Sequence, residues 1–202
     1  MNFYSEHFVP FPKIKTRDLI LRKVKLSDID GLYDYCKRPE SCQYSNWTPH
    51  ESKAETRDFV YWLLGRYIKR QCYTFAVEYK GRVIGTASFM NFDEVYGSVE
   101  IGYGISSDYW RKGLGRQIVS GITGFAFLKL GVQRVWAKVM PENIASSSLL
   151  QKCGFSYEGT ARKSEYIKGE YIDVATYAIL KEEYFSKKEN INGTQANSKL
   201  CR

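Results

Sequence analysis

One basic, glycine-punctuated turn restricts this chain more than any other feature. The run Ser98-Val99-Glu100-Ile101-Gly102-Tyr103-Gly104-Ile105 reads as a strand, and Tyr109-Trp110-Arg111-Lys112-Gly113-Leu114-Gly115-Arg116 follows it. Leu114, Ile118, Ile122 and Phe125 then recur at helical spacing, with Gly131 as the C-terminal cap. Two glycines in alternate positions let the backbone turn tightly and come close to a ligand. The helix that begins there leaves its first N–H groups without intrahelical partners, and its dipole favours negative charge. Arg111, Lys112 and Arg116 add formal positive charge at the same spot. Strand, basic turn and helix start together describe a pyrophosphate cradle. An ordinary surface turn meets the same pattern, because Gly-x-Gly alone is unspecific.

The rest of the composition narrows the setting. At 202 residues the chain suits one domain, since single cores stop growing at roughly 250–300 residues. No stretch approaches the ~18 consecutive apolar residues of a membrane span. The N-terminal Met-Asn-Phe-Tyr-Ser-Glu-His lacks the basic and apolar regions of a signal peptide. Cys36, Cys42, Cys72, Cys153 and Cys201 are scattered and form no C-x-x-C pair, so neither a disulfide framework nor a metal site is expected. A reducing cytoplasm fits such cysteines. With only His7 and His50 in the chain, a Ser–His or Cys–His hydrolase is not expected. The net charge is +8, of which the polar stretch after Phe185 carries +3. The excess is dispersed, without the K/R block of a nucleic-acid arm. It suits an anionic cofactor, an acidic protein or a weak nucleic-acid contact equally well.

Along the chain, strands and helices alternate. Leu19 to Val24 is a first strand, and Ser27 and Asp28 are candidate caps for a helix bearing Ile29, Leu32, Tyr33 and Cys36. Thr48-Pro49-His50-Glu51 reads as the start of a second helix with a capping box. Its apolar stripe is Phe59, Val60, Leu63, Leu64, Tyr67 and Ile68. Cys72–Tyr79 and Arg82–Phe89 form a hairpin around Lys80-Gly81, and Val95–Ile105 leads into the glycine turn. Val132–Met140 is strand-like, and Asn143–Lys152 is a short helix ending at Cys153-Gly154-Phe155. Phe155–Thr160, Ser164–Ile167 and Ile172–Leu180 complete the strands. Residues 1–16 read as an arm, 17–185 as the domain, and 186–202 as a disordered polar tail.

These elements resemble the GNAT N-acetyltransferase superfamily, whose glycine signature reads Q/R-x-x-G-x-G/A. Here it is Trp110-Arg111-Lys112-Gly113-Leu114-Gly115, with Trp110 replacing the usual Gln or Arg. That departure fits the RimJ/RimL-like subgroup, in which a Tyr-Trp pair leads into the loop. Glu100-Ile101-Gly102-Tyr103, Asn143-Ile144-Ala145-Ser146, Leu150 to Phe155 and Lys168-Gly169-Glu170-Tyr171-Ile172-Asp173 are similar to that subgroup in the same order. The resemblance covers roughly residues 17–185 and implies an α/β (α+β) domain with a mixed, mostly antiparallel central sheet flanked by helices.

It also implies acetyl-CoA as co-substrate, without a metal. The pyrophosphate would lie on backbone N–H groups of Arg111, Lys112, Gly113, Leu114, Gly115 and Arg116. The pantetheine would run beside Tyr103, Gly104 and Ile105, where the strand splays from its neighbour at a bulge. Gly102 and Gly104 suit such a break, or else tight packing against a neighbouring element. A freed N–H there can polarise the acetyl carbonyl. Glu100 is the candidate general base, with binding of the substrate ammonium and a solvated face as its other readings. Ser146 matches the position near the departing thiolate, and equally a helix cap. Asn143 contacts pantetheine, caps the helix, or both. Lys152 is a candidate for the 3′-phosphate, or a solvated lysine. Cys153 reads as a buried small hydrophobe, Trp47 as groove wall or core, and His50 as an exposed first-turn residue. A tyrosine acid is expected from the family, but 16 tyrosines leave it unassigned.

The acceptor implied is a primary amine, with a protein N-terminus such as that of a ribosomal protein first. A polyamine, amino acid or aminoglycoside comes second. A narrow acidic pocket would favour the small amine and an open groove the peptide. A non-catalytic ribosome- or nucleic-acid-binding module is the third reading, recognisable by steep salt dependence. No membrane and no specific nucleic acid are expected as partners, and a homodimer stays open.

Overall fold

The computed structural model describes residues 3–186. Its centre is an eight-stranded sheet of order β1-β2-β3-β4-β5-β6-β8-β7. β1 (Ile14–Lys15), β2 (Leu19–Lys23), β3 (Thr74–Tyr79), β4 (Arg82–Asp93) and β5 (Ser98–Ile105) pair antiparallel in succession. β6 (Arg134–Val139) joins β5 in parallel, then pairs antiparallel with β8 (Glu170–Leu180), which holds the edge strand β7 (Ser156–Ile167). The sheet is mixed and mostly antiparallel, as the resemblance implied.

Strand alternation sends side chains to two helical layers. Phe75, Val77, Val99, Ile101 and Val135 face α4 (Leu114–Phe125), which buries Leu114, Ile118, Val119 and Ile122 in the same cluster. Ala76 and Val83 face the other layer, α1 (Ile29–Cys36) and α3 (Lys53–Ile68), through Leu32, Val60 and Leu63. α2 (Pro39–Cys42) follows α1, and α5 (Ile144–Lys152) follows β6. α4 continues as a π-helical turn, Ala126–Leu130, and stops where Gly131 takes φ 72°. No helix among the described residues is long and apolar enough to cross a membrane.

The sequence boundaries need revision at several points. The second helix starts at Lys53, not at Thr48-Pro49. Ser52 Oγ accepts from Glu55 N at 3.3 Å, and the Glu55 carboxylate accepts from Glu51 N at 2.7 Å. The S-x-x-E pattern that caps this helix is therefore Ser52–Glu55. The third β run starts at Ser98, because Asp93 Oδ1 accepts from Val95 N and Tyr96 N and turns the chain before it. The strands expected at 155–160 and 164–167 are one strand, β7, irregular between Ala161 and Glu165. Residues 3–15 are folded onto the domain: Tyr4, Phe8 and Ile14 are buried in the main core. Of the tail expected at 186–202, Ser186 still belongs to a helical turn, its Oγ donating to Glu182 O at 2.9 Å, and residues 187–202 lie outside the described residues.

Candidate active site

The turn before α4 has the backbone its glycines suggested. Gly113 is the N-cap at φ 73°, with no side-chain cap, and Arg111 also lies at positive φ, 58°. A Cβ on Gly113 would meet no atom within 4 Å, so that face of the turn is open. Leu114 is sunk in the core, which fixes the depth at which the first N–H groups of α4 are presented. Trp110, the departure from the signature, has a local role: its Nε1 donates to Ile105 O at 2.9 Å and ties the turn to the end of β5. Lys112 Nζ donates to Asp108 O at 2.9 Å and lies 5.1 Å from the Tyr109 ring centroid. Arg111, Lys112 and Arg116 are all exposed at the helix start. An orphan-donor helix N-terminus with an open αL glycine fits a pyrophosphate.

β5 and β6 separate beside this turn. They pair only at Ser98–Arg134, Val99–Val135 and Glu100–Trp136, although β5 runs on to Ile105 and β6 to Val139. The backbone of Tyr103, Gly104 and Ile105 on that side is thus available to an extended ligand arm, which suits pantetheine. The expected bulge in β5 is absent. Its register with β4 is continuous from Glu100 to Ile105, and the irregularity sits in β4, between Met90 and Asp93. Gly102 and Gly104 instead meet the packing explanation. A Cβ on Gly104 would collide with Tyr35 Oη, and one on Gly102 would lie 2.8 Å from Met90 Cε.

Glu100 lies at the last pair before the split and is only 6% exposed. Val99 and Ile101 enter the α4 core, so Glu100 points to the opposite face with Met90 and Trp136, its partners on β4 and β6. Burial raises its carboxyl pKa above the usual 4.5; Asn91 and Lys138 oppose that rise, and Glu165 adds to it. Asn91 Nδ2 donates to Glu100 Oε2 at 2.6 Å, and Lys138 Nζ pairs with Glu165 at 2.6 Å. The solvated-face reading of Glu100 does not hold, since a surface glutamate would not be buried on a strand.

On the other side of the sheet, Tyr103 Oη and Ser146 Oγ are 3.0 Å apart. Burial raises the Tyr103 phenol pKa, keeping its proton in place. Asn143 is the helix cap, its Oδ1 accepting from Ser146 N at 3.1 Å, which leaves the Ser146 hydroxyl to face Tyr103. Cys153 packs against the core, and burial raises its thiol pKa. Lys152 is exposed in the last turn of α5. Trp47 is half-buried, edge-on to Tyr35 and His50. His50 is not the exposed residue expected. Its Nδ1 lies 2.8 Å from the buried Thr56 Oγ1, and burial lowers its pKa.

Asn91, Lys138, Glu165 and the Tyr103 hydroxyl were missed by sequence reasoning. Strand alternation from Trp136 would have placed Lys138 beside Glu100. The other three depend on a bulge, a hairpin register and a helix phase that no local pattern reports.

A split parallel pair, an open helix N-terminus at its mouth and a buried carboxylate at its vertex define an acyl-CoA-dependent transferase. Residues 18–156 match the acetyltransferase (GNAT) domain. An uncharacterized N-acetyltransferase, p20 of Bacillus licheniformis, is 36% identical over 171 residues, covering 84% of this chain and 96% of that protein. A spermidine N(1)-acetyltransferase of Vibrio cholerae is 24% identical over 172 residues, covering 85% and 98%. Among solved structures, RimL, a ribosomal L7/L12 alpha-N-protein acetyltransferase in complex with coenzyme A, superposes with a TM-score of 0.73. It is 22% identical, and the match covers 84% of this chain and 98% of that one. The chain belongs to the GNAT family and is an acetyl-CoA-dependent N-acetyltransferase.

Proposed function

We propose that the acceptor is the α-amine of a protein N-terminus, and that Glu100 takes the proton from its ammonium form. The observation that carries this is the charge around Glu100. The ionisable groups beside it are Lys138 and Glu165, so the cluster holds one net negative charge. Such a site matches a single ammonium. A polyamine brings several cations, and Glu165, already paired with Lys138, is not free to receive the second.

Proton affinity points the same way. An α-ammonium titrates at about 8 and a primary alkylammonium near 10.4. A carboxylate base therefore deprotonates the α-amine at roughly 3 kcal/mol less cost. The floor beside Glu100 is also partly open: Met90 is 39% exposed, and the Lys138–Glu165 pair reaches solvent. An open floor accommodates a chain end.

Acetyl-CoA supplies the activated acetyl group when bound. The backbone N–H groups from Arg111 to Arg116 would hold its pyrophosphate, and Tyr103 to Ile105 its pantetheine. Glu100 accepts a proton from the acceptor on one face of the sheet. On the other, the Ser146 hydroxyl, backed by the Tyr103 phenol, donates a hydrogen bond to the departing sulfur.

Turnover of acetyl-CoA against peptides with free N-termini, spermidine, free amino acids and an aminoglycoside tests this reading. A peptide should give the highest kcat/KM. Preference for spermidine, the acceptor in the name of the Vibrio cholerae relative, would replace it with the polyamine reading.

A further inference from the structure

β4 breaks its register beside Glu100 in a specific way. Met90 pairs with Glu100 and Asp93 with Ser98, so Asn91 and Phe92 together oppose the single residue Val99. Two residues against one is a β-bulge. Its first residue, Asn91, has φ 44°, the left-handed conformation of a G1-type bulge. Glycine is the default there, because a Cβ is costly at positive φ. The chain uses asparagine instead, the side chain that tolerates αL best among the others.

The bulge also decides where Asn91 points. In an unbroken ladder Met90 would share the Glu100 face and Asn91 would face the α4 core, beside Val99. The bulge turns Asn91 to the Glu100 side, and its Nδ2 donates to Oε2 at 2.6 Å. Among the described residues no other hydrogen bond is made to the Glu100 carboxylate. The remaining charged neighbours are Lys138 on β6 and Glu165 on β7, and these are paired with each other.

We propose that Asn91 is a positioning residue: it anchors one oxygen of the Glu100 carboxylate so that the other is held toward the acceptor amine. This rests on the reading of Glu100 as the base. An amide that donates to the carboxylate also favours its ionised form, against the burial that disfavours it. Asn91 therefore sets both the direction and the working pH of the base. A merely structural asparagine at a bulge would do neither.

Asn91→Gly separates these roles, because glycine suits the bulge backbone and removes only the amide. Its acetyl-CoA affinity should equal that of the wild type, and its melting temperature at neutral pH should fall by only about 2–4 °C, the linkage cost of a Glu100 pKa raised by one unit. The Glu100 carboxyl, followed by NMR with ¹³C-labelled glutamate and assigned with Glu100→Gln, should titrate about one pH unit higher. The acid limb of the single-turnover rate with a short peptide bearing a free α-amine should move by the same amount. Asn91→Asp, which also tolerates positive φ, adds a like charge and should move both further in the same direction. Unchanged titration in both variants would overturn the role of Asn91, while loss of the acid limb in Glu100→Gln would leave the base intact. Wild-type rates in Glu100→Gln across the pH range would instead overturn the base, and the positioning role with it.

Discussion

Replacing Gly113 by valine separates what the loop does for folding from what it does for the donor. Gly113 caps α4 at φ 73°, and a Cβ there meets no protein atom within 4 Å. The folding cost is therefore that of the backbone alone, about 1–2 kcal/mol for a residue with a Cβ in the left-handed region. For a chain of this size that is a fall in Tm of roughly 2–8 °C. Acetyl-CoA at ~100 times its Kd stabilises the wild type by about 2.7 kcal/mol, or roughly 5–11 °C. In the valine variant the branched side chain occupies the open face of the turn, and this ligand-induced shift should vanish. Gly113→Asn is the control for strain, since asparagine adopts αL at little cost. Its melting temperature should stay near that of the wild type while its ligand-induced shift is reduced. Both are read from thermal melts with and without acetyl-CoA. A folded valine variant that keeps the full shift would refute the assignment of this turn to the pyrophosphate.

Tyr103→Phe should leave acetyl-CoA affinity unchanged and lower the single-turnover rate, and the loss should not add to that of Ser146→Ala, because both hydroxyls serve one 3.0 Å contact. Additive losses would show that they act separately. Gly104→Ala should destabilise by about 1–3 kcal/mol in urea unfolding through overpacking on Tyr35 Oη, and Tyr35→Phe should recover part of that loss. Burial lowers the His50 pKa below its usual 6.5. The unfolded chain then binds the extra proton first, so stability is full above about pH 6.5 and falls as the pH drops through the lower folded value. The urea midpoint of His50→Gln should decline less between pH 7 and 5.5.

Much of this was legible because it is local. The Lys80-Gly81 turn, the stripe of Leu114, Ile118 and Ile122, and the stop at Gly131 each follow from a few neighbouring residues, and each is where the sequence placed it. The left-handed glycine turn before α4 was legible for the same reason. Boundaries failed where two local signals competed, as Thr48–Glu51 did with Ser52–Glu55 for one helix cap. The partners of Glu100 were hidden because they arrive from three strands. Asn91 reaches it through a bulge, Lys138 across the parallel pair and Glu165 from the far edge strand. Gly102 and Gly104 illustrate a different limit. Their need for a missing Cβ was evident, but Met90 and Tyr35, which fill the space, are distant in sequence.

The split between β5 and β6 has a mechanical consequence. Three residue pairs join a plate of five strands to a plate of three, and all three lie at one end of the seam. Beyond those pairs the plates are held together by the core they share beneath α4, and an acetyl-CoA lying along the seam would act as a strut between them. Amide hydrogen exchange along Ile101–Ile105 and Ala137–Val139 should slow when acetyl-CoA is bound, and exchange at Val99 and Val135 should barely change. Glu100 and Trp136 form the pair nearest the opening, so the candidate base sits at the pivot. Rotation displaces atoms in proportion to their distance from its axis. Any opening at the mouth of the cleft would therefore leave Glu100 almost where it is.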